Sequence, residues 1–419
     1  VPSAPADLRA LPGALLLALL LGVGGCSDDT SITPPTASSD SSTSRSAAAA
    51  VTVAALEKAL RSGDAGAAAA TGLGPAGPML EAAAANVGAL HLVDLGLRFV
   101  DERSDVADVS ETGAWRGTVE VRYRLRDWDQ GTTTVETTFT FAPGEHGQVI
   151  TGIGGTSGRT PLWLTGPVKA VASGRTLVVA QGGSQAGATR YSALARKAVV
   201  AVGKVLPRWK GTLVIEAPSD EEGLDRALGA SQDEYANIAA VTASVDGSLD
   251  PGSPVHVFLN PRVFDALGPR GAQVVVSHES THVATEATFV SMPTWLLEGF
   301  ADYVALAHAG IPVRTAASQI LARIRKDGPP DHLPTADDLA PTAAGLGATY
   351  EEAWLATRFI AQSYGEKKLV AFYDAVDGGT SAEQAFRQVL GTTQAAFVKR
   401  WSADSRNLAR AGVSGSVGG

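Results

Sequence analysis

His278-Glu279-Ser280-Thr281-His282 brings three side chains able to do chemistry into five residues. On a helix, two histidines four positions apart project from one face, so both imidazoles can reach the same metal ion. Glu279 follows the first histidine too closely to share the ion with it, and its carboxylate is placed to take a proton from a water held there. A second segment, Trp295-Leu296-Leu297-Glu298-Gly299-Phe300-Ala301-Asp302-Tyr303, has Glu298 and Asp302 four apart and hence on a common helical face. Pro293 breaks the chain before it, and Thr294 is the expected N-cap.

Together the two segments resemble the gluzincin branch of the zinc metallopeptidases, whose third ligand is a glutamate on the helix after the H-E-x-x-H helix. The string W-L-L-E-G-F-A-D-Y is the more specific part of the likeness. The resemblance implies one zinc ion on His278, His282 and Glu298, with a fourth position left open for water, as in catalytic rather than structural sites. It implies Glu279 as general base and Asp302 as the carboxylate that orients a ligand histidine. The activity implied is hydrolysis of peptide bonds in peptide or protein substrates. Fifteen residues separate His282 from Glu298, fewer than in the large gluzincins, which calls for a compact loop between the helices.

Two further roles come with the same likeness. Tyr350 opens a helical stretch, Tyr350-Glu351-Glu352-Ala353-Trp354, and is the candidate for the hydroxyl that donates to the tetrahedral oxyanion; the alternative is a packing tyrosine. Val255–Asn260 is the candidate rim strand, pairing with an extended substrate through its backbone. The alternative for that segment is an interior strand, and His256 on it is not needed as a ligand.

Behind these residues, an apolar stripe of Tyr191, Leu194, Ala195, Ala198, Val199, Val202 and Leu206 predicts an amphipathic helix ending before Pro207. Thr212–Ile215 reads as a strand. The histidine-bearing helix is expected over Ala272–Ala284 despite Val274-Val275-Val276, whose β-branching disfavours helix; burial should override that propensity. Uncharged neighbours (Ser277, Ser280, Thr281, Val283) spare the ligands any shift in protonation, and zinc needs neutral imidazole. Tyr364-Gly365 marks a helix end, and Ala382–Trp401 resembles the helical subdomain that closes the cleft in small gluzincins. Residues 166–410 therefore read as one zincin-like metallopeptidase domain: a small sheet, an active-site helix and a helical C-terminal part.

Residues 51–165 read differently. An Ala-rich helix around Val53–Arg61 precedes strands in which Val119, Val121, Tyr123 and Leu125 alternate with Glu120, Arg122, Arg124 and Arg126. Val135, Phe139 and Phe141 repeat the period. A half-solvated antiparallel sheet with helices on its other face follows, loosely similar to nuclear-transport-factor-like or cystatin-like domains. His91 and His146 are isolated, and Trp115, Trp128 and Trp163 read as packing anchors. The fold class expected for the whole chain is α+β.

At 419 residues, 45% hydrophobic and 18% charged, the chain has material for two cores. A net charge of −9 without a basic run argues against a nucleic-acid partner. The single cysteine rules out an intrachain disulfide and a cysteine-based zinc site. Cys26 follows an apolar run at 11–24 and the small residues Gly24-Gly25, which resembles a bacterial lipobox. That likeness implies a signal peptide over 1–25, lipid attachment at Cys26 and an extracytoplasmic protein anchored in the cell membrane. The alternative is a secreted protein with an incidental cysteine. Residues 26–50, rich in Ser, Thr, Asp, Pro and Ala, read as an unstructured tether, and 411–419 as a flexible tail. Two rival functions stay open: a metal-binding but weakly active scaffold lipoprotein, and a protein whose amino-terminal domain carries the function. Glu279 weighs against the first, because a structural metal site has no use for it.

Overall fold

The computed structural model of the chain describes residues 39–103, 113–182, 185–232, 234–340 and 343–411. Cys26, the signal-peptide reading and residues 412–419 of the tail lie outside them. The first element is a helix, Ser39–Ser62, so residues 39–50 are helical where composition predicts an unstructured tether. The reason is a buried face: Ala49, Val53, Leu56 and Leu60 recur at helical spacing, each at most 1% exposed. Arg45 fixes the early turns by pairing with Glu102 and lying 5.1 Å from the centroid of the Trp115 ring.

This helix covers an antiparallel meander in the order β1 (Leu92–Glu102), β2 (Trp115–Leu125), β3 (Thr133–Gly144) and β4 (Gly147–Gly158). The alternation predicted for β2 is present. Val119, Val121, Tyr123 and Leu125 are buried, while Glu120 and Arg124 on the other face pair across to Arg98 and Asp94 of β1 at 2.8 Å each. Trp115 stacks on Phe141 and Trp163 meets Tyr123 edge-on, so both tryptophans are packing anchors as expected.

The second sheet runs in the order β5 (Val168–Ser173), β6 (Thr176–Gln181), β7 (Leu213–Ala217), β9 (Val255–Leu259), β8 (Ala240–Ser244). Strands β6, β7 and β9 are mutually parallel, and β5 and β8 run antiparallel at the two edges. Both faces are covered, which is why β6 and β7 are buried at every residue. Leu177, Val179, Val214 and Phe258 enter the apolar cluster shared with the first sheet. Their neighbours Val178, Ile215, Val257 and Leu259 pack with Tyr191, Ala195 and Val276 from helices on the opposite face. Val255–Leu259 is thus interior, the alternative reading of that segment, and not the rim strand. The edge belongs to β8, a five-residue strand without the length or alternation to announce itself. The class is α+β, and the described residues from Thr43 onward belong to one compact unit.

Three helices frame the site. The histidine helix, Pro269–Ala284, starts with proline in its first turn, where the missing N–H costs nothing. The loop after it is compact, as the spacing requires: it turns through Glu286 in the left-handed region (φ 51°) and a short 3-10 turn at Ala287–Phe289. The glutamate helix, Thr294–Ala307, follows; Thr294 is its first residue rather than its cap, and Pro293 holds the cap position without a side-chain bond. The wall helix, Leu346–Tyr364, carries Tyr350 and ends at Gly365 with φ 95°. Among the described residues no helix is long and apolar enough to cross a membrane.

One polar network sits in the shared core. His256 of β9, 1% exposed, bridges Glu216 of β7 (Nδ1 to Oε1, 2.6 Å) and Asp129 from the turn after β2 (Nε2 to Oδ1, 3.0 Å). Asp129 also accepts from the Leu125 amide at 3.0 Å. Both partners are carboxylates and both ring nitrogens face them, so the ring is a doubly donating cation. Burial alone would lower its pKa, but Asp129 and Glu216 outweigh that and push it up to about 10. The charged ring then contributes stability that is complete below its unfolded pKa of about 6.5 and is lost as pH rises through the folded value. Denaturant unfolding of the wild type and of His256→Gln should therefore show a stability gap that narrows between pH 7 and pH 10 to 11. A gap that stays flat across that range would mean the ring is neutral.

Candidate metal centre

His278 and His282 leave the same face of the histidine helix and meet ring to ring, 4.7 Å between centroids and 82° between planes. Their Nε2 atoms lie 3.0 Å apart. Glu298 of the glutamate helix brings Oε2 to 3.2 Å from His278 Nε2 and 3.6 Å from His282 Nε2. Among the described residues this is the one group of three ligating side chains that converges closely enough to hold an ion.

The donor set can be tested against an ion directly. Tetrahedral coordination with bonds of about 2.0–2.1 Å places any two ligand atoms roughly 3.3–3.4 Å apart. The three separations here, 3.0, 3.2 and 3.6 Å, straddle that value. Proton accounting points the same way. Asp302, one turn beyond Glu298, accepts from His278 Nδ1 at 2.8 Å, which in a neutral ring leaves Nε2 with a lone pair. That lone pair then faces a carboxylate oxygen and a second imidazole nitrogen, an arrangement stabilised by positive charge between them, whether an ion or a proton. Without an ion, the positive charge falls on the ring itself. Burial would depress the His278 pKa, yet Asp302 and Glu298 override it and hold the ring well above its usual value. Burial would raise the Glu298 pKa, yet the imidazoles override that and hold the carboxyl far below its usual range.

The Glu279 side chain reaches β8. Thr242, at the middle of that edge strand, donates to its Oε2 at 2.7 Å. Only 9% of Glu279 is exposed, and burial raises its pKa against the opposing pull of His278, His282 and the Thr242 bond. A carboxylate tuned upward and fixed by one hydrogen bond is a better proton acceptor than a solvated one. Thr242 was not legible in the sequence, because nothing in Ala240-Val241-Thr242-Ala243-Ser244 marks a functional residue. Ser280 and Thr281, between the ligands, donate back to Val276 and Ser277 carbonyls at 2.6 and 2.8 Å, so this buried helix leaves neither hydroxyl unpaired.

No protein-family model matches this sequence, and no curated protein matches it. The chemistry of the centre rests on its own geometry.

The other expected residues fall as follows. Tyr350, in the first turns of the wall helix, is mostly buried; burial raises its pKa, and Glu298, Asp302 and Glu279 raise it further, so its hydroxyl lies within their field. His256 takes no part in the centre. His146 is exposed, and His332 is an exposed neighbour of Asp331 at 2.6 Å.

Gly299, beside the ligand Glu298, has a steric reason. A Cβ there would lie 2.4 Å from Ala353 O and 3.0 Å from Thr357 Cγ2 on the wall helix. Thr357 Oγ1 donates to the Gly299 carbonyl at 2.7 Å across the same contact. The two helices approach closely because this position has no side chain. Gly299→Ala should cost about 1–3 kcal/mol in urea unfolding through overpacking; an unchanged midpoint would show that the contact is looser. Asp302→Ala should leave the fold intact and weaken zinc about 10–100-fold in competition with a chelator. His278→Ala should abolish stoichiometric binding, and equal affinity in all three proteins would contradict this ligand set.

Proposed function

We propose that the chain is a zinc-dependent metallopeptidase of the gluzincin kind, hydrolysing peptide bonds outside the cytoplasm from a lipid anchor at Cys26. The observation that carries the reading is the placement of Glu279. It sits beside three converging ligands and is held at 2.7 Å by Thr242 of an edge strand. A structural site would not need that carboxylate. The anchor and the location rest on the sequence around Cys26 alone.

His278, His282 and Glu298 are the side chains that would hold the zinc. Zinc bound there would supply Lewis acidity, activating a water and polarising the scissile carbonyl. Glu279 takes a proton from the attacking water and passes it to the departing amine nitrogen. Asp302 keeps His278 in the tautomer that offers Nε2. Tyr350 donates its hydroxyl to the developing oxyanion from the opposite wall. Among the described residues strand β8 pairs only with β9, so its free edge has backbone N–H and C=O groups for an extended substrate. Because Thr242 lies on that strand, a substrate added to it runs past Glu279.

A mixed-peptide cleavage profile on the zinc-loaded chain tests the assignment. Glu279→Gln should keep stoichiometric zinc and lose turnover by about 10²–10⁴-fold. Tyr350→Phe should lower kcat by about 10²-fold with little change in KM. Full activity of the Glu279→Gln protein would defeat the mechanism.

A further inference from the structure

The outer edge of β8 is open along part of its length and closed at one end. Two bonds set the alternation of the strand. The Asn260 N–H donates to the Ala239 carbonyl at 2.9 Å, and the Val245 N–H donates to the Pro254 carbonyl at 2.8 Å. In an antiparallel pair the residues between such bonds turn their main-chain groups away from the partner strand. With the register Ala240↔Leu259 to Ser244↔Val255, the N–H and C=O groups of Ala240, Thr242 and Ser244 therefore face the free edge. Among the described residues, no main-chain bond reaches Ala240 or Thr242 from that side.

Ser244 is different. Its carbonyl accepts from Arg159 Nη1 at 2.8 Å, and the Val245 carbonyl lies 3.5 Å from the same nitrogen. Arg159 directly follows β4 of the first sheet, and its own carbonyl accepts from the Thr137 hydroxyl of β3 at 2.7 Å, which fixes its root. Two glycines shape the slot for the side chain. A Cβ at Gly229 would lie 3.1 Å from Arg159 Cγ, and one at Gly247, in the turn after β8, would lie 2.7 Å from Nε. Gly247 has φ 76°, so the turn and the guanidinium both call for a residue without a side chain.

No carboxylate claims this cation. Asp246, whose charge acts on Arg159, is engaged within its own turn: Oδ1 accepts from the Ser248 N–H and Oδ2 from the Ser253 hydroxyl, both at 2.9 Å. Arg159 is half-buried, and among the described residues its side chain bonds only the two carbonyls at the end of β8. A guanidinium held this way serves the strand edge rather than an ion pair.

We propose, on the peptidase reading and with β8 as the strand that receives substrate, that Arg159 is a specificity-determining residue that limits the length of chain the edge can pair with. An extended peptide finds open positions at Ala240 and Thr242, and the next outward carbonyl, at Ser244, is already bonded. Thr242 also holds Glu279, so the peptide bond to be cut passes close to it. Ser244 is two residues farther along, roughly 7 Å at strand spacing. Strand pairing therefore holds the substrate over only about two residues on that side of the cut bond.

Trimming the best-cleaved decapeptide of the mixed-peptide profile residue by residue from each end, with kcat/KM measured on the zinc-loaded full chain, tests this. In the wild type, one side of the cut bond should be insensitive, within about twofold, to residues beyond the second. Arg159→Met keeps the aliphatic stem and frees the Ser244 carbonyl. In that protein the third and fourth residues on the same side should raise kcat/KM about 3–10-fold, the effect of one added backbone hydrogen bond. A general loss of stability would lower all rates alike and leave the length dependence where it was. The same length dependence in both proteins overturns the proposal. So does a wild type in which residues beyond the second contribute on both sides, a result that needs no variant. If the wild type cleaves no peptide at all, the peptidase reading itself fails and the length limit falls with it.

Discussion

Two imidazole nitrogens and a carboxylate oxygen converge within 3.6 Å of one another, and the candidate metal centre is arranged around their need for positive charge between them. Asp302 engages His278 Nδ1, so Nε2 is the atom left facing Glu298 and His282. Glu298 cannot move out into water, because the glutamate helix is pressed on the wall helix through Gly299, where a single methyl group would collide with Ala353. The histidine helix is likewise fixed, packed through Ala272 and Val276 onto the helix-covered face of the second sheet.

The same rigidity places Glu279. It is the residue next to a ligand, so its direction follows from the helix, and Thr242 of β8 meets it there. That ties the proposed proton acceptor to a strand at the edge of the second sheet. The buried His256 network acts one layer deeper. It links the turn after β2 to the central strands β7 and β9, so the first sheet and the sheet that supports the histidine helix share a charged contact as well as an apolar core.

Much of this was legible in the residues, for identifiable reasons. Helical period fixes His278 and His282 on one face and Glu298 and Asp302 on another, and period-two alternation in β2 marks the first sheet, because both patterns are local. The compact inter-helix loop follows from chain length alone. What could not be read was order in space. Val255–Leu259 and Ala240–Ser244 are equally short, and which of them is the edge depends on pairings between distant segments. Thr242, Asp129 and Glu216 become meaningful only through those pairings. The stretch 39–50 looked like tether because its polar composition hid Ala49, whose burial requires a sheet a hundred residues away to be in place.

The candidate metal centre requires that two imidazole nitrogens and one carboxylate oxygen share an ion. X-ray absorption at the zinc edge on the chain loaded with one equivalent of zinc tests it most directly. The expected spectrum has a shell of light atoms at about 2.0–2.1 Å with two imidazoles and no sulfur, and it loses one imidazole contribution in His282→Ala. A shell without histidine scattering, or a spectrum unchanged by that substitution, would contradict it.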